Sequence, residues 1–134
     1  MHDLVKGARK VQQTILLVGD ISDIYVTNFN TMMGDPNFTV EELSAIAFGY
    51  NRLLEESSNL LKEMKDVVNI TTLSMTDKER LDIINRIYGE VLEYKNLTWY
   101  YTRKNIGISY LRSKKKGDSQ RVLALYGTQD QRYW

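Results

Sequence analysis

The chain has 134 residues, 43% hydrophobic and 26% charged, enough for one domain with its own core and too apolar for a disordered chain. A net charge of +1 excludes binding to polyanions by whole-molecule attraction, and the absence of cysteine excludes disulfides and thiolate metal sites. A single proline favours long uninterrupted helices.

The first predicted helix spans about Asp3 to Met33. Leu4, Ala8, Val11, Ile15, Val18, Ser22, Tyr25, Phe29 and Met32 follow spacings of four and three, a heptad seam interrupted only by Ser22. Leu17, Ile21 and Ile24 form a second stripe, which gives the wider apolar face of a helix in a bundle core. Gly19 inside this helix costs roughly 1 kcal/mol against alanine. The stretch "GDPN", residues 34–37, reads as a turn, because glycine ends the helix and the residue before Pro36 is biased out of the helical region.

A second helix is expected from about Val40 into the sixties or a little beyond. Thr39 and Glu42 form a capping box at its start, and Phe38 and Leu43 stand where a hydrophobic staple would close. Leu43, Ile46, Tyr50, Leu53, Ser57, Leu60, Met64 and Val67 carry its seam. Ser22 and Ser57 are read as small packing positions. Residues 69–74, "NITTLS", are β-branched and serine-rich and predict a connector.

Thr76 and Glu79 repeat the capping box and start a third helix, predicted over Asp77 to Leu111. Leu81, Ile84, Tyr88 and Val91 begin its stripe, continued less cleanly by Tyr94, Thr98, Tyr101 and Ile108, with Gly89 and Gly107 as weak points. Ser113 to Gly117 read as a turn. Asp118 or Ser119 then caps a short helix, "QRVLALY", which Gly127 stops. "TQDQRYW" is a tail ending in two aromatics. The expectation is one all-α domain over residues 1–134. It is an elongated up-down-up bundle of three long antiparallel helices, each about 45 Å long, with a short C-terminal helix packed back on it.

Chemistry is sparse. His2 is the one histidine, at a chain end, so a zinc site, a di-iron pair and a Ser-His-Asp triad all lack ligands or bases. No glycine-rich loop cradles a phosphate. Glu41-Glu42 and Glu55-Glu56 read as solvated helix positions, and the Asn-x-Ser/Thr triplets at Asn37, Asn69 and Asn96 as chance occurrences. No catalytic residue and no cofactor are expected. No apolar run is long enough to span a bilayer, and the N-terminus lacks the apolar core of a signal peptide. The chain is therefore either cytosolic or begins downstream of a cleaved signal.

Charge is unevenly placed. Residues 1–93 hold 9 Lys/Arg against 15 Asp/Glu, and residues 94–134 hold 9 against 2, balances of −6 and +7. Arg103, Lys104, Arg112, Lys114, Lys115 and Lys116 interleave with Trp99, Tyr100, Tyr101 and Tyr110. Two readings stand for this stretch. Rings and cations could together bind nucleic acid or a protein partner. Alternatively the rings pack inward while the cations snorkel outward and complement a helix C-terminus. The candidate partner-binding residues are these six cations with Tyr133 and Trp134 of the tail.

The stretches "ARKVQQTILLVG", "NFTVEELSAIAFGYNRLLEESSNLLKEMKDVVNITTLSMTDKERLD", "YLRSKKKGDSQRVLALYG" and the terminal "RYW" resemble a TrbJ-like conjugal-transfer family of Bacteroidetes conjugative transposons. The resemblance covers about Leu4 to Trp134 and rests on extended similarity rather than a catalytic signature. It implies a non-enzymatic, mostly helical, exported subunit, similar to minor pilus-associated subunits of type IV secretion. Such a subunit would sit in the periplasm or cell envelope and contact other secretion subunits or itself. It also implies a signal peptide and a further helical segment ahead of this part, with Met1 an internal or introduced start. The alternative is a cytoplasmic DNA-binding accessory protein of conjugation that uses the +7 region.

Overall fold

The structure, a computed structural model, describes residues 2–69 and 75–127, with side chains from Gly7 onward. It is all-α: α1 (His2–Met33), α2 (Val40–Asn69), α3 (Asp77–Lys116) and a short α4 (Ser119–Tyr126). The connector expected at residues 69–74 lies, after Asn69, outside the described residues, as does the 128–134 tail with Tyr133 and Trp134. The helices divide into two compact units, Met1–Ser22 with Leu53–Asn96 and Asp23–Arg52 with Leu97–Trp134.

In the first unit the buried core is Leu17, Ile21, Met64, Ile84, Ile87 and Val91. There α1 and α3 run parallel, because contacts advance along both: Lys10 Nζ stands 4.0 Å over the Tyr88 ring and Lys95 Nζ meets Asp20 at 3.0 Å. Ser57 is buried in this unit, its hydroxyl donating to the Leu54 carbonyl at 2.9 Å, so this seam serine is a self-satisfied packing position.

In the second unit Met32, Phe38, Ile46, Tyr50, Ile106, Val122 and Tyr126 form the core. Here α2 runs antiparallel to α1 and α3, as a six-residue connection from Met33 to Val40 demands. Tyr25 stacks on Tyr50 at 4.8 Å, and Tyr101 meets the same ring edge-on at 4.9 Å. Burial pushes the Tyr50 hydroxyl up to about 12, and it pairs with the Thr102 hydroxyl at 2.6 Å.

The start of α2 follows the sequence closely. Thr39 N–H donates to Glu42 Oε1 at 3.0 Å and Glu42 N–H to Thr39 Oγ1 at 3.1 Å, while Phe38 and Leu43 join one cluster. At α3 the box is partial. Glu79 N–H donates to Thr76 Oγ1 at 3.1 Å, but the glutamate accepts from the threonine hydroxyl rather than from a backbone N–H.

Two expectations change. On α1 the second stripe, Leu17, Ile21 and Ile24, is the centre of the buried face, and the heptad seam flanks it. Ala8 and Ile15 (43% exposed) stand outside, Val18, Tyr25 and Phe29 are half-buried, and Met32 is buried. A strict heptad drifts ~20° per repeat on a straight helix, so the seam converges on the core line only near its end. The second change is at α3, which does not end at Leu111. It continues to Lys116 and closes on Gly117 (φ 79°), with Asp118 N–H bonded to Ser113 O at 2.9 Å and Gly117 N–H to Lys114 O at 3.2 Å, a Schellman pairing. Ser113 is therefore a buried helical residue, not a turn residue. Asp118 precedes α4 without capping it, and its carboxylate meets Arg121 Nε at 3.3 Å.

Gly49, in the middle of α2, lies beneath Tyr101. An added Cβ would fall 2.5 Å from Tyr101 Cζ and nearer still to its hydroxyl, which donates to Ile46 O at 3.0 Å. Nothing lies within 4 Å of a Cβ at Gly19. Gly49→Ala should therefore destabilise by about 1–3 kcal/mol through overpacking, while Gly19→Ala should stabilise by up to about 1 kcal/mol. Urea midpoints of the two variants measure this; shifts of the same sign in both would refute the close approach.

Candidate functional site

Asp35 and Asn37, the polar residues around Pro36, are among the most buried in the second unit, 2% and 5% exposed. Such burial is tolerated only if their polar atoms find partners. Asn37 N–H donates to Asp35 Oδ1 at 2.9 Å and folds the turn on itself. Asp35 Oδ2 accepts the Tyr126 hydroxyl of α4 at 2.9 Å and the Ser109 hydroxyl of α3. Arg121 of α4 reaches Oδ1 at 3.4 Å and Ser113 Oγ at 3.0 Å.

Asn37 extends this latch along α3. Its amide nitrogen donates to Ser113 Oγ at 2.6 Å and to the carbonyl and hydroxyl oxygens of Ser109, both at 3.0 Å. Its side-chain oxygen accepts from Lys116 Nζ at 2.9 Å, and its carbonyl accepts from Arg112 Nη1 at 2.7 Å. Arg112 also grips Glu42 with both terminal nitrogens, Nη1 to Oε1 at 2.9 Å and Nη2 to Oε2 at 2.6 Å. Burial pushes the Tyr126 hydroxyl well above its ordinary range and the adjacent Asp35 charge pushes it further, so Tyr126 stays a donor. Both Asp35 oxygens are engaged, so the constellation ties the turn to α3 and α4. Among the described residues no group of three His, Asp or Glu could hold a metal ion.

The latch sorts the predicted cations. Arg112 and Lys116 bind the chain's own turn. Arg103, Lys104, Lys114 and Lys115 are exposed and form no ion pair among the described residues. They return at a spacing of eleven residues, three helical turns and ~16 Å, so they share one face of α3. Leu97, Tyr100 (57% exposed) and Leu111 (60%) are exposed on that same face. Gly107 stands at its centre, and nothing lies within 4 Å of where its Cβ would be. Of the rings weighed with the cations, Trp99, Tyr101 and Tyr110 are half-buried, so only Tyr100 is free to share in a surface. Tyr133 and Trp134 fall outside the described residues.

The polar stripe of α3, Thr98, Thr102, Asn105, Ser109 and Ser113, is buried and was not read from the sequence beyond Thr98. Its signal was present, since these residues hold the spacings of four and three that apolar seams hold. Thr102 donates to Thr98 O at 2.8 Å and Asn105 to Tyr101 O at 2.9 Å, so part of the stripe satisfies itself on its own helix.

No protein-family model, curated protein or solved structure matches this chain. No helix among the described residues is long and apolar enough to cross a membrane.

The Arg112 contacts, with Thr39 N–H second, hold the Glu42 carboxyl down at about 2. A depressed carboxylate stabilises the fold above its unfolded value near 4.5, and that stability is lost as pH falls through about 2. Carboxyl-carbon NMR should show Glu42 titrating near 2, and Arg112→Gln should raise its midpoint toward 4.5. An unshifted midpoint in the variant would mean that Arg112 does not hold it.

Proposed function

We propose that this chain is a non-enzymatic interaction subunit of a conjugative DNA-transfer apparatus of the type IV secretion kind, working at the cell envelope. The sequence resemblance supplies the apparatus. The observation that carries the role is the outward face of α3, where Arg103, Lys104, Lys114 and Lys115 surround exposed Leu97, Tyr100 and Leu111. A phosphate backbone would neutralise the four charges and leave three large apolar side chains in water. An acidic protein surface with apolar residues at its centre covers both kinds of group. That mixture favours a protein partner.

The second reading, a cytoplasmic DNA-binding accessory protein, draws on the +7 balance of residues 94–134. Arg112, Lys116 and Arg121 of those charges are engaged in the latch and Lys95 pairs with Asp20. The four exposed cations remain for either partner.

The test reverses those four charges together (R103E, K104E, K114E, K115E) in the full native gene product, in cells carrying the transfer element. Arg103→Glu and Lys104→Glu should each shift stability by no more than about 0.5 kcal/mol, and Lys114→Glu and Lys115→Glu by about 1 kcal/mol each because they also oppose the negative end of α3, so the variant's melting is checked first. Transfer frequency should fall at least about tenfold, equivalent to losing about 1.4 kcal/mol of contact. Undiminished transfer by the stable variant would refute the reading. Duplex DNA affinity that is high at low salt, falls steeply as salt rises and is abolished in the variant would instead favour the DNA-binding role.

A further inference from the structure

The face of α3 has a chemical counterpart on the same unit. Phe48 of α2 is 68% exposed in mid-helix, and Val40 and Glu41 at the start of α2 are also exposed. Phe48 and Glu41 are seven residues apart, two turns and ~10.5 Å along one face. On α3, Gly107 and Lys114 are seven residues apart as well. We infer that the occupant of the α3 face is the α2 face of a second copy of this chain, running antiparallel to α3, with Phe48 seated over Gly107 and Glu41 opposite Lys114. This inference rests on reading the α3 face as a protein-contact surface.

The register is chemically consistent on one side of the seat. The open space over Gly107 lies between Leu111 one turn on and Arg103 one turn back, and a phenyl ring fills such a gap as a knob fills a hole. Four residues before Phe48 is Ser44, exposed and small, which falls opposite Leu111, exposed and large. On the other side Asn51 falls opposite Lys104, and Arg52 opposite Arg103. Like charges there disfavour helices lying flat. The arginine side chains are long and flexible, so their guanidinium heads turn apart into solvent, while Glu41 and Lys114 pair two turns away on the other side of the seat.

Charge favours the same pairing. On the face itself exposed Glu41 of α2 meets the exposed cations Lys114 and Lys115 of α3. A two-fold pair, in which each copy offers both faces, closes as a dimer.

Sedimentation equilibrium of the full chain tests this directly. At low salt the mass should rise with concentration above the monomer's 15.6 kDa, and high salt should lower it. Phe48→Ala should weaken association by at least about tenfold. Gly107→Met should do the same by filling the notch, while its melting temperature holds or rises because a glycine has left a helix. Glu41→Lys should weaken association, and adding Lys114→Glu should restore it. A chain that stays monomeric at every concentration overturns the inference, as does association indifferent to Phe48 and Gly107 or a charge swap that fails to rescue. A monomeric chain whose charge-reversed form still loses DNA transfer overturns self-docking alone and leaves the contact-surface reading standing.

Discussion

The buried carboxylate of Asp35 is the constraint on which the second unit depends. A carboxylate 2% exposed is tolerated only where its oxygens are hydrogen-bonded and its charge is answered. Asn37 N–H, the Ser109 and Tyr126 hydroxyls and the Arg121 guanidinium supply those partners. They come from the turn itself, from α3 and from α4. Removing any of these elements would leave a buried charge short of partners, so one side chain fixes three pieces of chain. The apolar contacts of Val122 and Tyr126 add area, but area alone sets no register for an eight-residue helix. Directional bonds to Asp35 do.

The same latch separates structural cations from surface ones. Because α3 continues to Lys116, the opening of its last turn is set by helical geometry. Ser113 and Lys116 turn toward Asn37, and Lys114 and Lys115 turn away. A loose turn after Leu111 would have made the three lysines equivalent. Three lysines in the last turn of α3 also oppose the partial negative charge of that helix end. The run therefore serves the helix terminus, the latch and the outward face at once.

Local rules made much of this fold legible. The Thr39–Glu42 box and the stop at Gly127 are short-range devices whose partners lie within a few residues, and the seam of α2 is a regular periodicity; each stands where the sequence put it. What stayed hidden depends on distant partners. Gly49 carries no signal of its role until Tyr101 is known to lie across it, 52 residues on. Asp35 and Asn37 look like turn polarity until Ser109, Ser113 and Tyr126 close around them, more than 70 residues away. The polar stripe of α3 gives no apolar signal, yet threonine and asparagine bury themselves by bonding back to their own helix. The surface face was half legible. The cations were named from the sequence, but which of them the fold consumes could not be known before the helix end was.

The central claim is that Asp35 holds the end of α3 and all of α4 in place. Native-state hydrogen exchange, comparing the unaltered chain with Asp35→Ala, tests it most directly. The account predicts a selective loss of amide protection in α4 and in residues 109–116, with Ile87 and Val91 of the first unit keeping theirs. Equal protection of α4 in both proteins, or a loss spread evenly over every helix, would contradict it.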